Sequence, residues 1–401
     1  MLLLVKSESA IDLSEGRFAR FAAIDWWNQE RLRTARILVV GAGALGNEVI
    51  KNLALLGVGH VAIVDLDHIE LSNLSRSVLF RASDEGQPKA VVAAAAATAI
   101  CPEVHTTALT GNLLADVGLG WFRWADAVIG ALDNREARLF VNSCCARLGK
   151  PWIDGGIEVL NGVVRGYHPP LTACYECGMG ETDWQILSQR RSCSMLARRA
   201  LAARGVPTTP TTASVIGAIQ VQEVVKVLHG LDNLLGAGFL FEGLGHGSYR
   251  MGLPLNPACP WHEAAVEVRP MPWSAAGTTL ATVQAQARAD LGGLDAIDLV
   301  REVAESLTCP TCAITTPCWR PVEALTADDV PCAQCAGERV PSPRHAFSAD
   351  FPNSAATLAE LGVPRFDILY ARHGLQAIGY ELTADAPGPT AADAPRNGTA
   401  A

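Results

Sequence analysis

Short apolar runs separated by longer amphipathic stretches divide the chain. Residues 37–40, 61–65, 104–107, 127–130 and 152–154 are strand-like, and helical patterning lies between them. Strands alternating with helices predict a parallel sheet covered on both faces. Residues 157–168 break this rhythm and read as a hairpin turning at Asn161-Gly162, a dipeptide that favours tight hairpin turns. Residues 10–35 read as helical. A polar, Arg-rich loop is expected over about 178–212, followed by a helix over 213–229 that stops at Gly230. Further on, residues 357–362 suggest a helical turn, and 366–372 and 377–382 suggest two strands. The last residues, 385–401, are mostly Ala, Pro, Gly and Asp, with little to bury, which predicts disorder. The expected fold is α/β. A Rossmann-like, mostly parallel sheet with helices on both faces occupies 1–268, and a small C-terminal α+β module occupies 269–384.

The first strand runs into Gly41-Ala-Gly43-Ala-Leu-Gly46, and the second ends at Asp65, nineteen residues later. In such a loop the first glycine allows a tight turn. The second lets backbone N–H groups approach phosphate, and the third permits close helix–strand packing. Asp65 is placed to bind ribose hydroxyls. The segment that follows, Asp67-His-Ile-Glu-Leu-Ser-Asn73-Leu-Ser-Arg76, is unlike that of a dehydrogenase. It brings an amide and a guanidinium to where phosphates would lie, which suits a triphosphate and adenylation chemistry.

Composition narrows the class. The chain has 401 residues, 49% hydrophobic and 18% charged, with a net charge of −9. That allows two or three domains with a sizeable core, and it argues against nucleic acid as a partner. The amino terminus lacks a secretory pattern, and the Ala-rich run at 90–100 is too short to span a bilayer. The expectation is a cytoplasmic protein with no membrane contact. Twelve cysteines in such a chain read as metal ligands and thiols rather than disulfides. Cys174-Tyr-Glu-Cys177 and Cys259-Pro-Trp-His262 suggest a structural zinc site of three thiolates and one imidazole. Cys309-Pro-Thr-Cys312 and Cys332-Ala-Gln-Cys335 have zinc-ribbon spacing. This second site is expected to staple a module without a core of its own. Cys318 lies between the pairs as a spare thiol or a competing ligand. Cys101, Cys144 and Cys145 sit in apolar surroundings and read as buried and inert.

With these residues assembled, the first 265 or so positions resemble the ThiF/MoeB superfamily of ubiquitin-like-protein activating enzymes. The resemblance implies ATP on the glycine loop, with Asp65, Asp67, Asn73 and Arg76 matching D-x-D-x-x-x-x-S-N-x-x-R. It implies that Lys89 of Gly86-Gln-Pro-Lys89 contacts phosphate and that Asp133 of Ala-Leu-Asp133-Asn134 holds Mg²⁺. The N-terminal Arg17-Phe-Ala-Arg20 implies that Arg20 reaches a neighbouring subunit's γ-phosphate, hence a homodimer. Fixed cations and a metal suit the chemistry, because a carboxylate must attack an anionic triphosphate and pyrophosphate must leave.

Family members that form a thioester carry the nucleophile on the crossover loop, where this chain has Cys193. Arg190, Arg191, Arg198 and Arg199 flank it and would favour the thiolate. The expected function is ATP-dependent adenylation of a ubiquitin-like protein's C-terminal glycine, thioester formation on Cys193 and transfer to a conjugating enzyme. The C-terminal module would serve as a docking platform. A sulfur-carrier adenylyltransferase is the alternative. A nicotinamide-dependent oxidoreductase and a non-catalytic nucleotide-fold scaffold are the alternatives of other classes.

Overall fold

The five apolar runs become five parallel strands: β1 (Arg36–Val40), β2 (His60–Asp65), β3 (His105–Thr110), β4 (Ala127–Gly130) and β5 (Trp152–Glu158). The computed structural model describes residues 16–185, 207–263 and 265–387. Three antiparallel strands extend the sheet: β6 (Asn161–Tyr167), β7 (Ala237–Glu242) and β8 (Gly247–Gly252). The order is β3-β2-β1-β4-β5-β6-β7-β8, so the direction of winding reverses between β1 and β4. In open α/β sheets, the crevice beyond the carboxyl ends at such a reversal is where ligands bind.

Side chains alternate across β1. Ile37 and Val39 join one core with α1 (Gln29–Arg33), α2 (Ala44–Leu55), α3 (Lys89–Ile100) and a later helix, Pro210–His229. Leu38 and Val40 face the opposite core, formed with α4 (Leu113–Asp116), α5 (Gly120–Trp124) and α6 (Arg135–Leu148). The helix Pro210–His229, here α7, starts at an N-cap where Thr209 accepts the Thr212 N–H. It ends at Gly230, whose φ of 69° closes it. None of the described helices is long and apolar enough to cross a membrane.

Two expectations need correction in this unit. The N-terminal segment is not one helix: among the described residues it is a 3-10 turn (Ala19–Ala23) and the five-residue α1. The hairpin turns at Val159-Leu160, because Glu158 pairs with Asn161 and Ile157 with Gly162 inside the ladder. Gly162 is needed for another reason. A Cβ there would lie 2.3 Å from Ile216 Cγ1 on α7, so the glycine admits the helix rather than making the turn.

The rest of the chain builds a second sheet from β9 (Val268–Met271), β10 (Ala296–Thr308), β11 (Thr315–Pro321), β12 (Val340–Ser348), β13 (Ile368–His373) and β14 (Gln376–Leu382). The path is β11-β10-β13-β14-β9, with β12 paired to β10. One helix, α8 (Leu280–Leu291), packs on it. This unit does have a core of its own, with Leu280, Val283, Ile297, Phe347, Leu358 and Tyr380 buried together. The four ribbon cysteines lie beyond that core, in the turns flanking β11 and β12, so they brace an extension instead of replacing a core. Residues 357–362 form the expected helical turn, with Leu361 N donating to Thr357 O at 3.1 Å. The disorder expected over 385–401 falls mostly at 388–401, outside the described residues.

The two units share packing. Phe366, Ile368 and Tyr370 of the second belong to the core beneath α5 and α6 of the first. Asp367 Oδ1 accepts the Leu119 N–H at 2.7 Å, and Gly120 donates to Phe366 O at 2.9 Å. Arg301, buried with Asp367, donates to Val117 O. A Cβ on Gly118 would lie 2.3 Å from Arg365 O, so that glycine permits the approach.

Candidate active site

The crevice at the β1/β4 reversal is built by the glycine loop and the segments after β2 and β4. Gly41 leaves β1 with φ of 100°, and a Cβ there would stand 2.4 Å from Ala131 O. A Cβ on Gly46 would stand 2.0 Å from Gly41 O, so the loop folds back against the first turn of α2. At Gly43 a Cβ would meet nothing within 4 Å. That contrast assigns the first and third glycines to packing and leaves the second facing free space. Gly43 is also the N-cap of α2 and supplies no side-chain cap, whereas Asn134, Thr209 and Thr279 cap α6, α7 and α8. The first-turn N–H groups of α2 thus form a site for an anion, favoured further by the helix dipole.

Asp65 closes one side. Its Oδ2 accepts the Ala42 N–H at 2.6 Å and its Oδ1 the Asp67 N–H at 2.8 Å. Burial lifts its carboxyl above the ordinary range, against the pull of those donors and of Lys89. Each oxygen keeps a further lone pair for a ribose hydroxyl. Lys89 Nζ bonds Asp67 Oδ2 at 2.8 Å, and Lys89 N bonds Asp67 O. Ile69 N donates to Gln87 O, and Gly86 N to Ile69 O, so the acidic segment and the Gly86–Lys89 segment are one piece. Asn73 is buried, with its Oδ1 accepting the Glu70 N–H. Arg76 is half-buried and donates to Ser72 O at 2.9 Å. Asp133 is exposed just past the carboxyl end of β4, two residues from the Ala131 that abuts Gly41, and its Oδ1 accepts from Asn134. An exposed carboxylate beside an anion site is a fitting place for a divalent cation.

Arg20 does not join this crevice within its own chain. Arg17 bonds Ile100 O at the far end of α3, and Phe18 lies against Gly57 beyond the end of α2. Lys89 and Gly43 start those helices, and a twelve-residue helix is about 18 Å long. Cys193 and the arginines around it, Arg190, Arg191, Arg198 and Arg199, lie outside the described residues.

Residues that sequence reasoning did not single out hold these parts in place. Asn47 donates to Ala42 O and Gly43 O and accepts the Leu79 N–H, tying the glycine loop to the chain just after Arg76. Arg138 bonds Asp154 at 3.0 Å, Leu132 O at 2.6 Å and Gly155 O at 3.1 Å, fixing the loop that carries Asp133 against β5. Gln220 reaches from α7 to Gly130 O and Ile153 O. Asn47 and Gln220 sit among other polar residues of their helices, so nothing in the sequence marked them out.

Both metal-ligand sets assemble. The ligand atoms of Cys174, Cys177, Cys259 and His262 all lie within 4.8 Å of one another, as do those of Cys309, Cys312, Cys332 and Cys335. Tetrahedral zinc with thiolates implies S···S edges of about 3.8 Å. The edges here are 3.8 Å for Cys174–Cys177, 3.5 Å for Cys174–Cys259, 3.4 Å for Cys309–Cys335 and 3.6 Å for Cys312–Cys332. His262 presents Nε2 at 3.0 Å from Cys177 Sγ. In the second set, Ala313 and Ala336 each follow a Cys pair with φ of 59° and 57° and donate back to Cys309 O and Cys332 O, making two matching knuckles. Both donor sets therefore fit zinc in closed, structural sites. Cys101, Cys144 and Cys145 are buried, and burial pushes Cys144 up to about 12.

Comparison with known proteins agrees with this geometry. The chain is 34% identical over 238 residues to the sulfur carrier protein adenylyltransferase of Thermus thermophilus, covering 58% of this chain and 83% of that protein. It is 40% identical over 170 residues to the human ubiquitin-like modifier-activating enzyme 7, but spans only 16% of that protein's length. The crystal structure of E. coli MccB with ATP superposes with a TM-score of 0.53 at 22% identity, over 63% of this chain and 75% of that one, a likeness of fold. The ThiF family profile matches residues 16–259, a span that takes in the glycine loop, the acidic segment, the loop bearing Asp133 and the first three zinc ligands. The chain belongs to the ThiF family.

Proposed function

We propose that the protein uses ATP and Mg²⁺ to adenylate the C-terminal carboxylate of a small ubiquitin-like or sulfur-carrier protein. The observation that carries this reading is the uncapped α2 N-terminus at Gly43, joined through Ala42 to Asp65 and through Asp67 to Lys89. The named activities of the Thermus and human relatives support it. In the reaction a carboxylate oxygen bonds the α-phosphorus, the bond to the β-phosphate oxygen breaks, and pyrophosphate leaves. Asp65 orients the ribose, and the α2 N–H groups, Lys89 and Arg76 stabilise charge on the phosphates. Asp133 would hold magnesium, which supplies additional charge neutralisation when bound. The two zinc sets would lock the ends of the crossover segment and the β11–β12 extension.

The next step has two readings. In one, the Cys193 thiolate attacks the acyl carbon, the carboxyl-phosphate bond breaks, AMP departs, and the thioester passes to a conjugating enzyme. In the other, the acyl adenylate serves sulfur transfer, as the Thermus relative's name indicates for that protein. The second unit, 269–384, would dock the modifier or the conjugating enzyme, and a homodimer would bring Arg20 to the partner's γ-phosphate. ATP–pyrophosphate exchange with candidate β-grasp proteins tests the first step: wild type exchanges and Asp133→Ala does not. No exchange with any candidate in the wild type overturns the reading. A hydroxylamine-sensitive conjugate lost in Cys193→Ala selects the thioester route, and a thiocarboxylate product selects the other.

A further inference from the structure

At the opposite end of the strands from the nucleotide crevice, the seam between the two units opens into a cleft of about 480 Å³. Its lining includes Arg123, Arg147 and Lys150, from just before β4 and β5, and the apolar Leu148, Val266 and Val268. Nothing in the proposed reaction uses this place.

Three cations line it. Arg123 is paired with Glu381, and Lys150 donates to Ala125 O. Asp126 acts on Lys150 and Asp367 on Tyr370. Among the described residues no carboxylate pairs with Arg147. Its guanidinium instead lies within cation–π range of two rings, Trp261 at 5.4 Å to the centroid and Tyr370 at 5.6 Å. Arg147 Nε and the Tyr370 hydroxyl are both buried without a hydrogen-bond partner. A basic residue near the end of α6 offsets the helix dipole, which explains a positive charge there. It does not explain why two rings from distant segments, and no carboxylate, surround the guanidinium. Ring contacts use none of the guanidinium N–H donors, which match a carboxylate or phosphate.

We propose that this cleft binds a small organic anion, with its carboxylate or phosphate on Arg147 and Lys150 and its apolar body against Leu148, Val266 and Val268. A concave site with few polar anchors and an apolar wall is how proteins hold such ligands. Trp261 lies between the candidate zinc ligands Cys259 and His262, so a metal there would also fix the ring that Arg147 faces.

The test measures binding of hexyl phosphate, hexanoate and inorganic phosphate to the zinc-loaded full chain by calorimetry. An Arg76→Ala/Lys89→Ala background, with excess ADP filling what remains of the nucleotide crevice, separates the cleft from the anion site at α2, so the two readings fail separately. Saturable binding of hexyl phosphate or hexanoate in that background is expected, with inorganic phosphate weaker. Lys150→Gln should weaken it about tenfold or more. Val266→Asp, which puts a competing carboxylate in the cleft, should do the same, and so should Arg147→Gln if it folds. The head group that binds more tightly identifies the ligand class. No saturable binding, or binding unchanged in Lys150→Gln and Val266→Asp, overturns the proposal.

Discussion

Lys89 Nζ sits 2.8 Å from Asp67 Oδ2, and the same two residues are joined again through Lys89 N and Asp67 O. The side-chain pair is asymmetric: the lysine is 12% exposed and the aspartate 57%. A largely buried amine held by an exposed carboxylate is ready to change partners when a phosphate arrives. Lys89→Ala should lower ATP–pyrophosphate exchange by roughly a hundredfold. It should cost less than about 1 kcal/mol of stability, because half of the pair is solvated. Chemical denaturation and the exchange assay read the two effects separately. A large loss of stability with normal exchange would assign Lys89 to structure alone.

Two glycines of the loop should behave differently. Gly46→Ala forces a Cβ against Gly41 O and should destabilise the folded protein. Gly43→Ala meets nothing in the free protein, and its φ of −73° suits alanine. It should leave the melting temperature unchanged while weakening ATP binding. Equal thermal stability in both variants would contradict the packing described here.

Asp65 gives a dependence on pH. Burial raises its folded-state value above the ordinary one of about 3.9. Between those two values the folded form holds more protons than the unfolded, so its contribution to stability declines as pH rises through that window. Nucleotide affinity should move the other way, because protonation removes an acceptor for ribose. ATP binding is expected to weaken as pH falls through the raised value, and Asp65→Asn should abolish that dependence. A titration in which the mutant keeps the wild-type profile would assign it to another group.

Metal content should be two zinc ions per chain by elemental analysis. Cys312→Ser should reduce it to one and leave pyrophosphate exchange intact, since that set lies beyond the second core. Cys174→Ser should also reduce it to one, with loss of order in the segments the first set joins.

Asp367 and Arg301 are both buried at the seam, each about 95% shielded at the side chain, and they meet at 3.4 Å. Asp367→Ala would leave Arg301 without its counter-charge and the Leu119 N–H without its acceptor. The expected cost is about 3 kcal/mol, read from the denaturation midpoint. A cost below about 1 kcal/mol would mean that the seam tolerates water.

Four of the five parallel strands were legible because each is apolar enough to be buried, while the half-exposed edge strand β3 was legible from its place in the alternation. The glycine loop, the acidic segment and the cysteine pairs were legible because their chemistry is local in sequence. The hairpin misled because Gly162 answers to Ile216, more than fifty residues away. Strand β10 was hidden by Arg301, Glu302 and Glu305, charges that signal solvent until their partners are known. Arg301 finds Asp367, and Glu305 finds Arg344. The supports of the crevice were concealed for the same reason: Arg138 means little until Leu132, Asp154 and Gly155 are seen around it.

Phe366, Ile368 and Tyr370 complete a core that the first unit cannot close alone. Cutting the chain near residue 268 to obtain a minimal catalytic fragment would bare Trp121, Phe122 and Val141 to water, and such a fragment should aggregate. Engineers who wish to graft this nucleotide fold elsewhere must therefore carry the carboxyl-terminal half along, as a lid fused to the vessel.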